Sequence, residues 1–400
     1  MLQATPAARG YRLLLRMVVL LLCLSVPLSG CSWLNKDDDN PRKPAELVNF
    51  KPVLKIRKVW HAGVGDGNDI LRLGLVPASD GSALYAADND GRMAAFDARR
   101  GSRLWRTKTR LPLAGGPGVG EGRLVAGSSD GWVVALSAED GRELWRVNVA
   151  SEVLAAPAVG RDAAFVRTVD GKLIALNLAD GSQDWFVQQT MPRLSVRGTG
   201  SPVLDGNLVL CGFDNGRVAA YDASDGSVAW DVLVDPPSGR TEVERLDDIN
   251  ATIAVIGTDV YAVGYQGRLA ALARESGQVL WSVEFSSYSG LSADLSSLYV
   301  SGDTGELLAV ERRSGRELWR HQALGYRDLT APAAFGSHVV VGDFEGYLHF
   351  LSAATGELRG RVRAGSKRIT SAPLVVGDML YVLTDGGELV AFEDATPAEN

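Results

Sequence analysis

Three features of the sequence predict an all-β fold, an eight-bladed β-propeller with four antiparallel strands per blade. A period of about forty residues runs through most of the chain, tight-turn dipeptides recur inside each period, and no helical pattern intervenes. The first Gly of the repeat falls at residues 91, 131, 171, 216, 267, 305, 346 and 387. Five residues after each stands Phe96, Leu136, Leu176, Tyr221, Leu272, Val310, Leu351 or Phe392. Ten residues after each of the first seven comes a second Gly, at 101, 141, 181, 226, 277, 315 and 356. Fourteen after comes Trp105, Trp145, Trp185, Trp230, Trp281 or Trp319, and Gly360 takes that place in the seventh unit. Fourteen before the first Gly stands Pro77, Pro117, Pro157, Pro202, Ile253, Leu291, Pro332 or Pro373.

Within a unit, the runs Arg123–Gly127 and Trp132–Ser137 are joined by Ser-Asp-Gly, and Glu143–Val147 follows after Glu-Asp-Gly-Arg. Asp-Gly between short apolar runs signals a hairpin, because the tight turn needs positive φ. The run Ala155–Val159 opens the next unit, so each repeat supplies four short strands. Such a unit cannot bury both faces alone and must stack on its neighbours. The eighth unit stops after its third strand, at Phe392, while Val53–Trp60 is an apolar stretch with a Trp that precedes the first complete unit. An N-terminal strand carrying Trp60 is therefore expected to close the last blade and remove its open edge. The repeated Trp residues read as packing between blades.

The N-terminus reads as an address. Residues 1–30 carry Arg9, Arg12 and Arg16 and no acid, then the apolar run Met17–Val26, too short to span a bilayer. They end in Leu28-Ser29-Gly30-Cys31, which resembles a bacterial lipoprotein box. The resemblance implies cleavage before Cys31 and acylation of that residue, and Ser32 after it favours the outer membrane. Two or more acyl chains make a stable anchor where one is marginal. The expected organisation is a signal peptide at 1–30, a lipidated Cys and flexible tether at 31–49, the propeller at 50–394 and a tail at 395–400.

With 46% hydrophobic and 22% charged residues the chain can bury a core. Its net charge is −7; losing residues 1–30 removes three Arg and no acid, leaving 38 basic and 48 acidic residues and a net charge of −10. An acidic chain without a basic block is a poor partner for nucleic acid, which needs clustered Lys and Arg. Of the three Cys, Cys23 leaves with the signal and Cys31 is lipidated, so Cys211 stands alone, in an apolar run, as a small buried hydrophobe.

Catalytic and cofactor signals are missing from the sequence. His61, His321, His338 and His349 have no metal-ligand spacing, and there is no nucleophile elbow and no phosphate loop. The run Gly115-Gly116-Pro117-Gly118-Val119-Gly120 is interrupted by Pro and reads as a turn. Asp37–Asp39 reads as a solvated linker rather than a calcium loop. No catalytic residue, metal or cofactor is expected.

The departures from the repeat carry the functional reading. From each Trp position to the Pro position of the next blade the distance is 12, 12, 17, 23, 10, 13 and 13 residues, so Phe186–Ser201 and Asp231–Thr252 are enlarged. Both link a fourth strand to the next first strand, so they are expected side by side on one face. Long loops on a rigid scaffold are where binding resides. Leu194 and Val196, flanked by Arg193 and Arg197, have the apolar-anchor-plus-Arg composition of a protein interface.

On these residues the chain resembles the BamB family, propeller lipoproteins of the outer-membrane β-barrel assembly (BAM) complex. The resemblance spans the lipoprotein box, all eight blades and the two loop segments Met191-Pro192-x-Leu194-Ser195-x-Arg197-Gly198 and Gly239-x-Thr241-Glu242-x-x-Arg245-Leu246-x-Asp248. It implies a non-enzymatic scaffold that is lipid-anchored to the periplasmic face of the outer membrane. Its expected partners are a POTRA domain of the insertase BamA, the BAM complex and unfolded outer-membrane protein substrates. The implied contact residues are Leu194, Val196, Arg197 and Asp248, with Asn250 where the family often has Asp; Asn can still accept a hydrogen bond. Two other readings share the repeat. One is a propeller lipoprotein with a different periplasmic partner. The other is a quinone-dependent dehydrogenase, a class that carries a vicinal Cys pair this chain lacks.

Overall fold

A computed structural model of the chain describes residues 42–67, 73–192, 194, 200–236, 249 and 251–397. Pro44–Asn400 forms one compact unit; the other, Met1–Lys43, lies almost wholly outside the described residues. The first unit thus takes in Pro44–Asn49, which the sequence reading assigned to the tether. The described residues of Pro44–Asn400 form strands, turns and loops with no helix.

Those strands make eight sheets in chain order, seven of four strands and one of five. The fifth strand in that sheet is the two-residue piece Gly74–Leu75, laid parallel to Leu113–Gly120. All the other pairings are antiparallel, and all but the closing one join successive strands. The first strands of neighbouring blades pack on one another about the centre. The last strands face outward, with alternating exposed and part-buried residues. As expected, the eighth sheet is closed from the other end of the chain. Ile56–Gly63 pairs with Glu388–Asp394, from Ile56 opposite Asp394 to Gly63 opposite Glu388.

The two glycines of each repeat have separate physical reasons. The second Gly sits at φ between 69° and 78°, and a Cβ there would come within 2.4–2.7 Å of the preceding blade's indole. Thus Trp60 lies on Gly101, Trp105 on Gly141, Trp145 on Gly181, Trp185 on Gly226, Trp230 on Gly277, Trp281 on Gly315 and Trp319 on Gly356. Each indole N–H donates to the carbonyl three residues before that Gly, those of Ala98, Ala138, Leu178, Ala223, Arg274, Arg312 and Ala353, at 2.7–3.1 Å. The indole's apolar area is buried and its one polar atom is satisfied, which is what a large amphipathic ring requires.

A bulge aims each of these indoles. Register slips by one residue just before Trp60, Trp105, Trp145, Trp185, Trp230, Trp281 and Trp319, as a β-bulge re-aims a side chain. The skipped residues include Leu104, Leu280 and Leu318, which accounts for three of the exposed leucines of the outer strands.

Gly360 replaces the Trp of blade seven for a topological reason. The docking Gly always sits in the turn between a blade's third and fourth strands, and blade eight has no such turn, because its fourth strand comes from the N-terminus. An indole at 360 would have no glycine to lie on. Leu54 fills the place, 3.2 Å from where a Cβ on Gly360 would stand, and joins Ile56 against the core of Phe335, Phe350, Leu380 and Phe392.

One local reading needs correction. The run Gly115–Gly120 is not a turn but part of the innermost strand of blade two, Leu113–Gly120. Its glycines let the next blade's backbone approach: a Cβ on Gly115 would lie 2.4 Å from the Ala155 carbonyl oxygen, and one on Gly118 would lie 1.9 Å from that of Pro157. In the fifth blade the left-handed position of the second turn is taken by Gln266 at φ 55°, not by Gly267.

Truncating one latch should be costly. Trp145→Ala removes a buried indole and is expected to destabilise the ring by about 3–5 kcal/mol, read as a lowered urea midpoint, whereas Leu104→Ala at an outward bulge should shift it by less than about 0.5 kcal/mol.

Candidate functional site: the two enlarged connections

Because strands alternate in direction, the fourth-to-first connections and the second-to-third turns lie at one end of the ring. The enlarged connections, between Gln188 and Val203 and between Leu233 and Ala254, are both rooted on the turn Asp214-Asn215-Gly216 of blade four. Asn215 Nδ2 donates to the Thr190 carbonyl at 3.1 Å, at the start of the first connection. The Gly216 carbonyl accepts from Val234 N at 3.0 Å and Asp235 N at 3.1 Å, at the start of the second. Where both return to the ring, Ser201 N donates to Thr252 Oγ1 at 3.1 Å. The described ends of the two excursions therefore lie side by side at one end of the ring, as the spacing predicted.

Of the expected contact residues, Leu194 is described and is 48% exposed. Val196, Arg197, Asp248 and Asn250 lie outside the described residues, as does Cys31. Ile249, between Asp248 and Asn250, is buried: its N donates to the Phe213 carbonyl at 3.2 Å and its side chain packs on Gly212. The second connection is thus pinned to the core one residue from each of two expected contact positions.

Polar groups that the sequence reading missed support the loop roots. Arg167 and Asp214 form an ion pair with side chains 4% and 2% exposed, and Arg167 Nη1 donates to the Gly200 carbonyl at 3.4 Å. Its guanidinium also lies 5.9 Å from the Phe213 ring. The seven equivalent positions hold Ala87, Gly127, Gly212, Val263, Ser301, Gly342 and Leu383, so this buried charge is peculiar to the blade beneath the first loop. That substitution within the repeat is the signal by which it could have been found. On the outer side, Gln189 Nε2 bridges the Tyr221 hydroxyl at 3.0 Å and Asp231 Oδ2 at 2.9 Å, while Arg217 Nε donates to Asp231 Oδ1 at 2.6 Å. Burial raises the Tyr221 phenol, which stays protonated.

Cys211 is fully buried in the second strand of blade four, and burial pushes its thiol up to about 11. Among the described residues no group of three or more His, Cys, Asp or Glu is arranged to hold a metal. What the described part of the site offers is an exposed apolar residue and two long connections rooted on a rigid base.

Known proteins resemble the chain over most of its length. The family model described as outer membrane protein assembly factor BamB matches residues 89–321 and 303–398. The chain belongs to the BamB family. A BamB of Pseudomonas aeruginosa is 48% identical over 372 residues, covering 93% of this chain and 97% of the relative. One from Legionella pneumophila is 39% identical over 379 residues, covering 94% and 98%. The crystal structure of BamB from Moraxella catarrhalis superposes with a TM-score of 0.78 at 28% identity, covering 85% of this chain and all of that one. A europium-containing methanol dehydrogenase also superposes, with a TM-score of 0.68 over 86% of this chain and 95% of its own. At 13% identity that likeness concerns the fold alone.

Removing either member of the Arg167–Asp214 pair should cost about 3–5 kcal/mol by stranding a buried charge. Arg167→Met with Asp214→Leu should recover most of it, and a double-mutant cycle in urea checks this. Cys211 in the folded protein should resist Ellman's reagent at pH 8, because too little thiolate forms below a pKa near 11, and should react at once in 6 M guanidinium.

Proposed function

We propose that this chain is a non-enzymatic scaffold of the BAM complex, held to the periplasmic face of the outer membrane by lipid on Cys31. Through its two enlarged connections it grips a POTRA domain of BamA and assists the assembly and insertion of β-barrel outer-membrane proteins. Membership of the BamB family supports the role in assembly. The observation that carries the site is the common rooting of both connections on Asp214–Gly216, with exposed Leu194 on the first. In this reading Leu194 and Val196 are apolar anchors, and Arg197 and Asp248 supply paired charge. Asn250 contributes a hydrogen-bond acceptor. Apolar and Arg anchors at the centre of an interface carry most of its energy.

The Arg167–Asp214 pair then acts as a positioning element, since it holds Gly200 and the turn from which both loops rise. Leu194→Asp or Arg197→Ala should abolish co-purification with BamA from membranes while leaving the circular dichroism spectrum and urea midpoint of the propeller unchanged. Retained co-purification in both variants would remove these loops from the interface.

A further inference from the structure

Before the closing strand begins, the chain is already built into the ring. Residues 45–54 run along the outer edge of blade seven, antiparallel to its last strand, Leu358–Arg363. Ala45 N donates to the Gly325 carbonyl at 2.8 Å, and Arg327 Nη1 donates back to the Ala45 carbonyl at 2.9 Å. Arg361 Nη1 donates to the Val48 carbonyl at 3.1 Å, and its guanidinium lies 5.1 Å from the Phe50 ring. Val53 N and Leu54 N both donate to the Arg359 carbonyl, at 2.9 and 3.1 Å.

Beneath this strap Arg327, Asp343 and His349 form a buried polar network with no counterpart among the described residues of the other blades. Arg327 is 3% exposed and bonds Asp343 Oδ2 through Nε at 2.9 Å, as well as Glu345. Asp343 Oδ2 also meets His349 Nε2 at 2.9 Å, and Arg361 Nε lies 3.3 Å from His349 Nδ1. At the place of His349 the other blades hold Ala94, Val134, Ile174, Ala219, Ala270, Leu308 and Val390. A core that keeps an unusual Arg-Asp-His set instead of apolar packing is committed to what that set holds. Here it presents two guanidinium groups to the strap, one of which bonds a strap carbonyl from a buried position.

Gly325 and Arg327 belong to the connection between blades six and seven, which lies at the same end of the ring as the two enlarged loops. We propose that this strap fixes the exit of the N-terminal tether at that end, so that the loop-bearing face, and not its opposite, is turned toward the lipid. The inference rests on the reading of Cys31 as the lipid anchor. From Ser32 to Lys43 there are 12 residues, which reach no more than about 40 Å even when fully extended. A propeller tethered from a fixed point on one face has its orientation restricted, whereas one hanging from a free segment that starts on its closing strand does not.

The test uses the full lipidated chain on vesicles of phosphatidylethanolamine and phosphatidylglycerol with an acceptor dye in the headgroups. A donor fluorophore is placed on Ser129→Cys, in an exposed turn at the loop end, or on Ser276→Cys, in an exposed turn at the other end. Energy transfer should be stronger from position 129, and Ala45→Pro with Phe50→Ser, which frees the strap without touching blade seven, should bring the two positions together. Equal transfer in the unaltered protein, or an unchanged difference in the strap variant, overturns the proposal. Hydrogen exchange checks the docking separately: amides of residues 45, 53 and 54 should be protected, and those of 53 and 54 should exchange at least about tenfold faster in the strap variant or in Arg361→Met. Unprotected strap amides in the unaltered protein would also overturn it. Failure of the chain to stay on vesicles would sink the anchor reading and the orientation with it, whereas loss of BamA binding alone would bear only on the enlarged loops.

Discussion

An indole laid flat on the glycine of the next blade, with its N–H given to a carbonyl three residues earlier, is the contact on which the ring depends. It repeats at seven of the eight junctions. Each half of it requires the other. Any side chain at the glycine would strike the ring face, and the left-handed backbone there would be strained for other residues as well. The bulge before each Trp supplies the aim. The eighth junction shows that the device is a coupling: where ring closure removes the receiving turn, the indole is absent and Leu54 of the N-terminal segment packs instead.

A ring closed in this way gives stiff ground to whatever projects from it. The second and third strands of each blade are almost wholly buried, and the connections between blades start and end on backbone held by the turns beneath them. Length added to a connection therefore becomes reach instead of slack at the root. The two long connections share one turn of blade four and carry beneath them a buried ion pair that no other blade repeats at that position. Buried charge pairs of this kind are weak sources of net stability, yet removing one member strands the other at a large cost. The same trade recurs at blade seven, where Arg327, Asp343 and His349 replace apolar packing and hold the incoming chain.

Much of the architecture was legible because a repeat multiplies weak signals. Asp-Gly between two apolar runs is one hairpin; its recurrence at a constant offset from a Trp and a Pro specifies a blade and the number of blades. The enlarged connections were legible for the same reason, as breaks in a measured spacing. Gly115–Gly120 was misread because glycine has two uses, turning a chain and letting two backbones approach, and local sequence does not separate them. Only the neighbouring carbonyls of Ala155 and Pro157 show which applies. Arg167 and His349 could have been noticed as polar residues at apolar repeat positions, yet their partners Asp214, Asp343 and Arg327 could not be assigned without coordinates.

By itself the sequence determined the periodic quantities: the all-β class, eight blades, closure by the N-terminal strand, and two outsized connections on one face. These follow from spacing along the chain, and antiparallel strands translate spacing into position with almost no freedom. Tertiary structure alone decided which glycine receives which indole, which carbonyls the buried arginines hold, and where the N-terminal segment meets the ring. Such contacts join residues tens to hundreds of positions apart, and the partner is selected by distance and burial in the folded ring, quantities that no local pattern encodes.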